Sequence, residues 1–496
     1  MKKQPTPMAQ LTEQALDAML QSANIPAPYD GLIPKISPWQ QSMKLLVWGM
    51  MFTSIKLEFW NLHYILPALG AILFLLALLP LRRESGWFRL AFWGSIGQFL
   101  HTAITLFLQG TIWHNRFMDT ALGTVLNVSV WFFFFAIYFA PLLGLAHLSR
   151  KSGCPPPNKR LVGFMLLSMG AYFYMGLAAA LPSFLPLLAF AVYFYLLLRL
   201  LRRAFREIDQ VDYLIQSRPA KLSARPLGIL LASFLIICTA VGMTVGQSYP
   251  MDWQPVDLRQ EHQGQEDLMA ELLSKGMPEH ILMDLTAEDV ASLAGAKEIS
   301  VGQTDFVLSP QGQLQRTTPS LPDPDLTLSI IAVSFPDPSK HVQMLYHFHW
   351  LTNKEWGHTA SICIRECFLA WKGFPFQGRI LYEHQAKTYA SPYYNIDVVQ
   401  TNAGFISSGT EILSAEFSPP AQYTQLRGYL LVSSTKFSNA WSVAGNMCCY
   451  FRSDKKMFPA PDVITTAKNM FSLWGSNRGF HLAEGYALLD LDLNVE

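Results

Sequence analysis

The sequence predicts a two-part chain: a membrane all-α helical bundle of about seven transmembrane helices, then a mainly-β soluble domain of sandwich or jelly-roll type. Three observations predict it. Long apolar runs punctuated by Arg and Lys fill the chain up to Tyr249–Pro250 and stop there. After that point come short β-branched and aromatic runs broken by Pro, Gly, Asn and Ser. The charge divides at the same place: residues 1–249 carry 20 Lys and Arg against 9 Asp and Glu, and residues 250–496 carry 17 against 27. The formal net charge of +1 therefore hides a basic half and an acidic half. Only 15% of residues are charged, low against the roughly 25% of soluble chains.

Residues 1–40 read as a cytoplasmic tail. Lys2 and Lys3 lead into a polar stretch rather than an apolar one, so no cleavable signal peptide is read. Residues 8–22 place Leu11, Ala15, Leu16, Met19 and Leu20 at helical spacing, the pattern of a short amphipathic helix on a membrane surface. Residues 41–249 read as the multi-pass transmembrane domain, because a spanning helix needs about 20 mostly apolar residues. Six runs meet that length: 61–80, 88–109, 120–147, 161–181, 183–201 and 227–247. A seventh, 43–59, is weaker, since Lys56 and Glu58 in its last turn must snorkel to the interface beside Trp60.

The loops set an orientation. Arg82, Arg83 and Arg89 flank one connection, and Arg150, Lys151, Lys159 and Arg160 flank another. Arg199, Arg202, Arg203, Arg206, Arg218, Lys221 and Arg225 crowd a third. The alternate connections hold only Lys56 and Arg116. Basic loops stay cytoplasmic, which puts the N-terminus inside and everything beyond residue 250 outside, on a cell membrane.

Polar residues in spans are the first place to look for function. Gln98, His101, Thr102, Thr105 and Gln109 fall on the 88–109 run, and Asn127 on the next. They read as interhelical hydrogen bonding more readily than as a transport or proton path, because no paired carboxylate or buried Lys joins them. Gly94 and Gly97 read as close-packing positions.

Residues 250–296 read as a polar tether, 250–264, and a small helical connector. Gly276 and Gly295 supply left-handed helix ends, Pro278 suits a first turn, and Thr286 with Asp289 makes a capping-box-like pair flanked by Leu285 and Val290. The segment ELLSKGMPEHILMDLTAEDVASLAG resembles one in uncharacterised multi-pass bacterial membrane proteins that carry a comparable exterior domain. That resemblance spans about 25 residues and implies no activity.

Residues 297–496 read as the extracytoplasmic β-domain, with strands at 326–335, 342–351, 359–371, 379–385, 397–401, 411–417 and 426–434, a helix at 461–474 and a last strand from Tyr486. His347 and His349 stand two apart on a strand and share a face, so they are the metal candidates, with His358 or Glu366 as a third ligand. The other face, with Met344, Tyr346, Phe348 and Trp350, reads as core, which leaves the histidines facing solvent in the plainer reading. Cys363 and Cys367 would lie about 13 Å apart on one strand at ~3.3 Å per residue, too far to pair. A cross-strand disulfide from Cys363 to Cys448 is possible instead, and buried free thiols compete with it.

The Asp323/Asp325 and Asp490/Asp492 pairs read as solvated surface. Trp350, Trp356, Trp371, Tyr393 and Tyr394 could line a glycan or peptide groove, though core packing is the better reading. No hydrolase elbow, phosphate loop, zinc-protease or calcium-loop signature appears, and no cofactor is implied. The basic residues flank apolar runs rather than making an aromatic-laced face, which excludes nucleic acid. The expected partners are the lipid bilayer and an envelope protein or glycan ligand. The expected function is display of the exterior domain for binding, sensing or envelope organisation. The alternatives are an envelope enzyme with a metal at His347 and His349 and, less favoured, a transporter.

Overall fold

The computed structural model describes residues 38–490 except 56–60, 153–158, 179–184, 211–223, 310–312, 318–322, 337–341, 353–357, 366–375, 401–410, 435–441, 453–456, 461, 464–465 and 467–479. The expected amphipathic helix at 8–22, Lys56, Glu58, Trp60, Trp356, Glu366, Cys367, Trp371, Asp492 and most of the expected helix at 461–474 lie outside the described residues.

The N-terminal half is helical: α1 (Pro38–Ser54), α2 (Leu62–Leu81), α3 (Gly86–Gln109), α4 (His114–Met118), α5 (Ala121–Tyr138), α6 (Ala140–Ser152), α7 (Lys159–Ala178), α8 (Leu185–Gln210) and α9 (Ala224–Val245). Four stretches are long and apolar enough to cross a membrane: 62–81, 86–109, 121–150 and 224–245. The expected count of seven is therefore corrected to four among the described residues. α1 is 17 residues long and carries Lys44. In α7 the apolar stretch among the described residues is Arg160–Gly170. α8 holds Arg199, Arg202, Arg203, Arg206 and Glu207 within the helix itself.

The chain divides into two compact units, residues 1–102 with 126–234, and residues 103–125 with 235–496. In the first unit α1 buries Trp39, Met43, Leu46, Val47 and Met50 against Phe74, Leu78, Phe164 and Leu197. A Cβ on Gly94 would meet Ala136 at 2.7 Å, and one on Gly97 would overlap the Phe133 ring, so both glycines serve close packing as expected.

The second unit is mainly β, with every strand pair antiparallel. Its strands are β1 (Gln254–Val256), β2 (Glu298–Leu308), β3 (Leu314–Arg316), β4 (Leu326–Ser334), β5 (Val342–Trp350), β6 (Ala360–Arg365), β7 (Phe376–His384), β8 (Lys387–Pro392), β9 (Asn395–Gln400), β10 (Glu411–Phe417), β11 (Thr424–Ser434), β12 (Ser442–Arg452) and β13 (Phe480–Asp490). An eight-stranded sheet runs β1-β8-β7-β11-β5-β4-β2-β3, and a five-stranded sheet runs β13-β12-β6-β10-β9.

Alternation puts Leu328, Ile330, Met344, Tyr346, Phe348 and Trp350 of the first sheet into one core with Ile362, Leu413, Phe417, Met447, Cys449 and Phe451 of the second. Tyr393 joins that core, so two of the aromatics weighed for a groove, Trp350 and Tyr393, are core residues. Within the stretch expected as a tether, β1 pairs with β8, and the Tyr249 N–H donates to Ser418 Oγ at 2.7 Å.

The connector comprises α10 (Leu258–Glu261), α11 (Glu266–Ser274), α12 (Glu279–Asp284) and α13 (Ala287–Ser292). Gly276 and Gly295 take φ of 99° and 77°, the left-handed ends their sequence positions require. The Thr286 hydroxyl accepts from Asp289 N–H at 3.0 Å and caps α13. Leu272, Ile281, Leu282, Leu285, Val290 and Leu293 pack against Ile331, Val333, Leu345, Tyr429 and Leu431, the outer face of the eight-stranded sheet.

Candidate functional site

The connector changes the environment of the two histidines. His347 and His349 share the outer face of β5 with Leu345, as alternation demands, and that face is covered rather than solvated. His347 is fully buried, because α12 lies over it. His347 Nε2 stands 2.9 Å from Asp284 Oδ2, and Arg427 Nε donates to Asp284 Oδ1 at 2.7 Å. Arg379 Nε and Nη2 donate to the carbonyls of Asp284 and Leu285, and its Nη1 forks onto Glu261 at 2.9 and 3.0 Å. Arg427 also reaches Glu383 at 3.2 Å. The Tyr429 hydroxyl donates to Asp289, and it accepts from Thr286 N–H at 3.1 Å. Two arginines from the sheet thus hold the C-terminal end of α12 and its carboxylate.

His280, one turn before Asp284, brings a third imidazole. Its ring centroid is 6.0 Å from that of His347 and 6.3 Å from that of His349, and the latter two are 6.3 Å apart. His349 Nε2 stands 2.7 Å from Gln425 Oε1. The third histidine is therefore His280; His358 is exposed, at the edge of an undescribed segment. No group of three or more His, Cys, Asp or Glu placed to hold a metal ion occurs among the described residues.

Electrostatics favour the neutral imidazole at His349 and His280. Burial, then the neighbouring His347, lowers His349 to about 4 and also lowers His280. Burial alone would raise the Asp284 carboxyl, but the His347 hydrogen bond and the Arg427 charge outweigh it and hold it below its usual range. Acid therefore works against the cluster. An unfolded histidine takes its proton near pH 6.5, whereas folded His349 resists until about 4. The stability these groups contribute is complete above about 6.5 and is lost as pH falls toward 4. The melting temperature of the full chain should drop between pH 7 and 4.5, and a His280→Gln, His349→Gln double variant should show a shallower drop. Equal slopes would remove the histidines as the cause.

The second polar cluster lies on the outer face of the five-stranded sheet, and sequence reading missed it. On β10, Ser414 and Glu416 alternate with the core residues Leu413, Ala415 and Phe417, the pattern of a solvated face. That face is buried instead. Glu416 is fully enclosed, and its Oε2 accepts from Arg116 Nη2 at 2.6 Å. The Arg116 guanidinium carbon sits 4.8 Å from the Tyr394 ring centroid, 5.4 Å from Tyr249 and 6.0 Å from Trp113. Tyr249 and Tyr394 stack at 4.7 Å and 7°. Asn115 Nδ2 donates to Asp462 Oδ2 at 2.8 Å, and Ala460 N–H to the Gln109 carbonyl at 2.8 Å. Burial, opposed by the hydrogen bond from Tyr249 and the charge of Arg116, raises the Glu416 carboxyl. The one available sequence signal was Arg116, a lone basic residue in a loop whose other charge is Asp119.

Cys363 and Cys448 face each other in register on β6 and β12, on the outer face, and both thiols are free. Cys449 points into the core, as adjacent cysteines on a strand must. Asp325 Oδ2 accepts from Leu308 N–H at 2.7 Å and fastens β2, whereas Asp323 is exposed. In the helical half, Thr102 bonds the Gln98 carbonyl at 2.8 Å, His101 is half-buried, and Asn127 is exposed on α5.

Fold and sites together define a chain of membrane-spanning-type helices joined to an antiparallel two-sheet domain with two enclosed charge clusters. Comparison with protein-family models, curated proteins and solved structures finds no match to this chain.

Proposed function

We propose that this is a multi-pass membrane protein whose exterior β-domain binds or senses at the membrane surface and is coupled to the ends of its spans. The observation that carries this reading is the composition of the second unit. The ends of α3, α5 and α9 belong to the same compact body as both sheets. They are joined to it by Arg116–Glu416, Asn115–Asp462, Gln109–Ala460 and Tyr249–Ser418. A change in such a domain reaches the span ends without a flexible joint.

With four spans the loop charges keep residue 250 outside but move the N-terminus. If 82–89 and 150–225 are cytoplasmic, crossings by 86–109, 121–150 and 224–245 leave residue 250 outside, and the crossing by 62–81 puts the residues before it outside as well. The partners proposed are the bilayer and an envelope protein, glycan or small ligand.

The test is hydrogen exchange on the full chain in lipid nanodiscs, after membrane-impermeant labelling has shown residue 260 outside and residue 159 inside. Asp462→Ala should raise exchange at 110–118 and 243–249. Unchanged exchange there would mean that the domain is merely carried, and turnover of a substrate would replace sensing with catalysis.

A further inference from the structure

Arg452 ends β12 at 2% exposure, and among the described residues its Nη1 has no hydrogen-bond partner. Burial pushes its guanidinium down to about 10, against an upward pull from Tyr249, so it is still a cation at neutral pH. Every other buried arginine described in this unit is matched: Arg379 by Glu261, Arg427 by Asp284 and Glu383. A buried cation without an anion is among the least favourable arrangements a fold can hold, and the usual resolution is a bound counter-charge.

The strand register shows what surrounds it. Phe417, Ala360 and Phe451 are partners across β10, β6 and β12. One residue further along, Ser418, Thr359 and Arg452 come side by side, with Arg452 N–H donating to the Thr359 carbonyl at 3.0 Å. Thr359 is fully buried and its hydroxyl has no partner. Ser418 holds the backbone of Tyr249 over this row, while the Tyr249 hydroxyl is directed to Glu416. One guanidinium and one hydroxyl, both enclosed and both with donors unused among the described residues, thus stand side by side where β12 ends and β6 begins. The Glu416 carboxylate is engaged by Arg116.

We propose that Arg452 and Thr359 form a binding site for a small soluble oxyanion, a carboxylate or inorganic phosphate. This deepens the reading of the exterior unit as a binding module and rests on it. Guanidinium and hydroxyl donors match the paired oxygens of such a group. The enclosure favours a small free anion over a headgroup tethered to two acyl chains. Binding here would tie the end of β12 to the start of β6, beside the Ser418 contact to the Tyr249 backbone.

The test is thermal unfolding of the full chain in a maltoside detergent, which carries no phosphate. Sodium phosphate, acetate and chloride are titrated at matched ionic strength. In the wild type the melting temperature should rise with the logarithm of phosphate or acetate concentration, relative to chloride. Arg452→Gln should abolish the rise, and Arg452→Lys should keep part of it. Thr359→Val, which leaves the charge in place, should shift the midpoint to at least several-fold higher anion, and it serves if Arg452→Gln does not fold. No difference between anions in the wild type would mean buried water alone. An identical rise in Arg452→Gln would mean an adventitious ion only. A phospholipid retained by the wild type in native mass spectrometry and lost in Arg452→Gln would place a headgroup there instead. Each of these three overturns the soluble-anion site. None of them depends on exchange at 110–118, so coupling and binding fail separately.

Discussion

Asp284→Ala is expected to be among the most damaging single substitutions in the β-rich unit, lowering its stability by about 3–5 kcal/mol. The carboxylate is 2% exposed and is shared by His347 and Arg427. Removing it leaves a buried guanidinium facing a buried imidazole with no negative charge between them. Arg427 keeps the Gln425 carbonyl at 3.0 Å and, as its charged partner, Glu383 at 3.2 Å, which is more exposed than Asp284. The loss should appear as a lower melting temperature and as faster hydrogen exchange across 279–293, because α12 is held to the sheet by this carboxylate and by Arg379 on its last carbonyls. Asp284→Asn should recover part of it, since an amide still accepts from Arg427. If Asp284→Ala melts within a degree of wild type, the cluster does not hold the connector.

Much of this connector was legible in the sequence. Gly276, Gly295 and the Thr286–Asp289 pair are local signals, and each fixes a helix end through backbone geometry that needs no distant partner. The strand faces were legible for the same reason: alternation puts Tyr346, Phe348 and Trp350 on one side and His347 and His349 on the other. What alternation cannot say is what covers a face. The histidine side looked solvated because its cover, α12, comes from about 65 residues upstream. His280 and Asp284, one helical turn apart, were the local trace of it. The number of spans failed for a different reason. Apolar composition alone admits 43–59 and 183–201, yet α1 starts at Pro38 and takes Gln40, Gln41 and Lys44 into its 17 residues, and α8 takes its arginines into the helix. Strands β2, β8 and β12 were missed because their exposed or polar faces dilute the apolar signal.

The Arg116–Glu416 pair shows how a long-range partner inverts a local reading, and breaking it has the second large expected effect. Arg116 reads as one basic residue in a loop, and alternation along β10 gives Glu416 a polar face. Together they form an ion pair, its carboxylate fully buried and its guanidinium side chain 30% exposed, roofed by Tyr249, Tyr394 and Trp113. Arg116→Ala removes the cation and leaves a fully buried carboxylate, so a loss of about 3–5 kcal/mol is expected. Glu416→Gln alone should cost less, because a neutral amide tolerates the same burial. The double variant Arg116→Ala, Glu416→Gln should therefore melt above Arg116→Ala, although it has lost one interaction more. That non-additivity separates a buried charge from simple loss of packing against three aromatic rings. Were packing the cause, the double variant would melt at or below the single one, and Arg116→Met, which keeps the aliphatic stem, would restore wild-type stability without any change at Glu416.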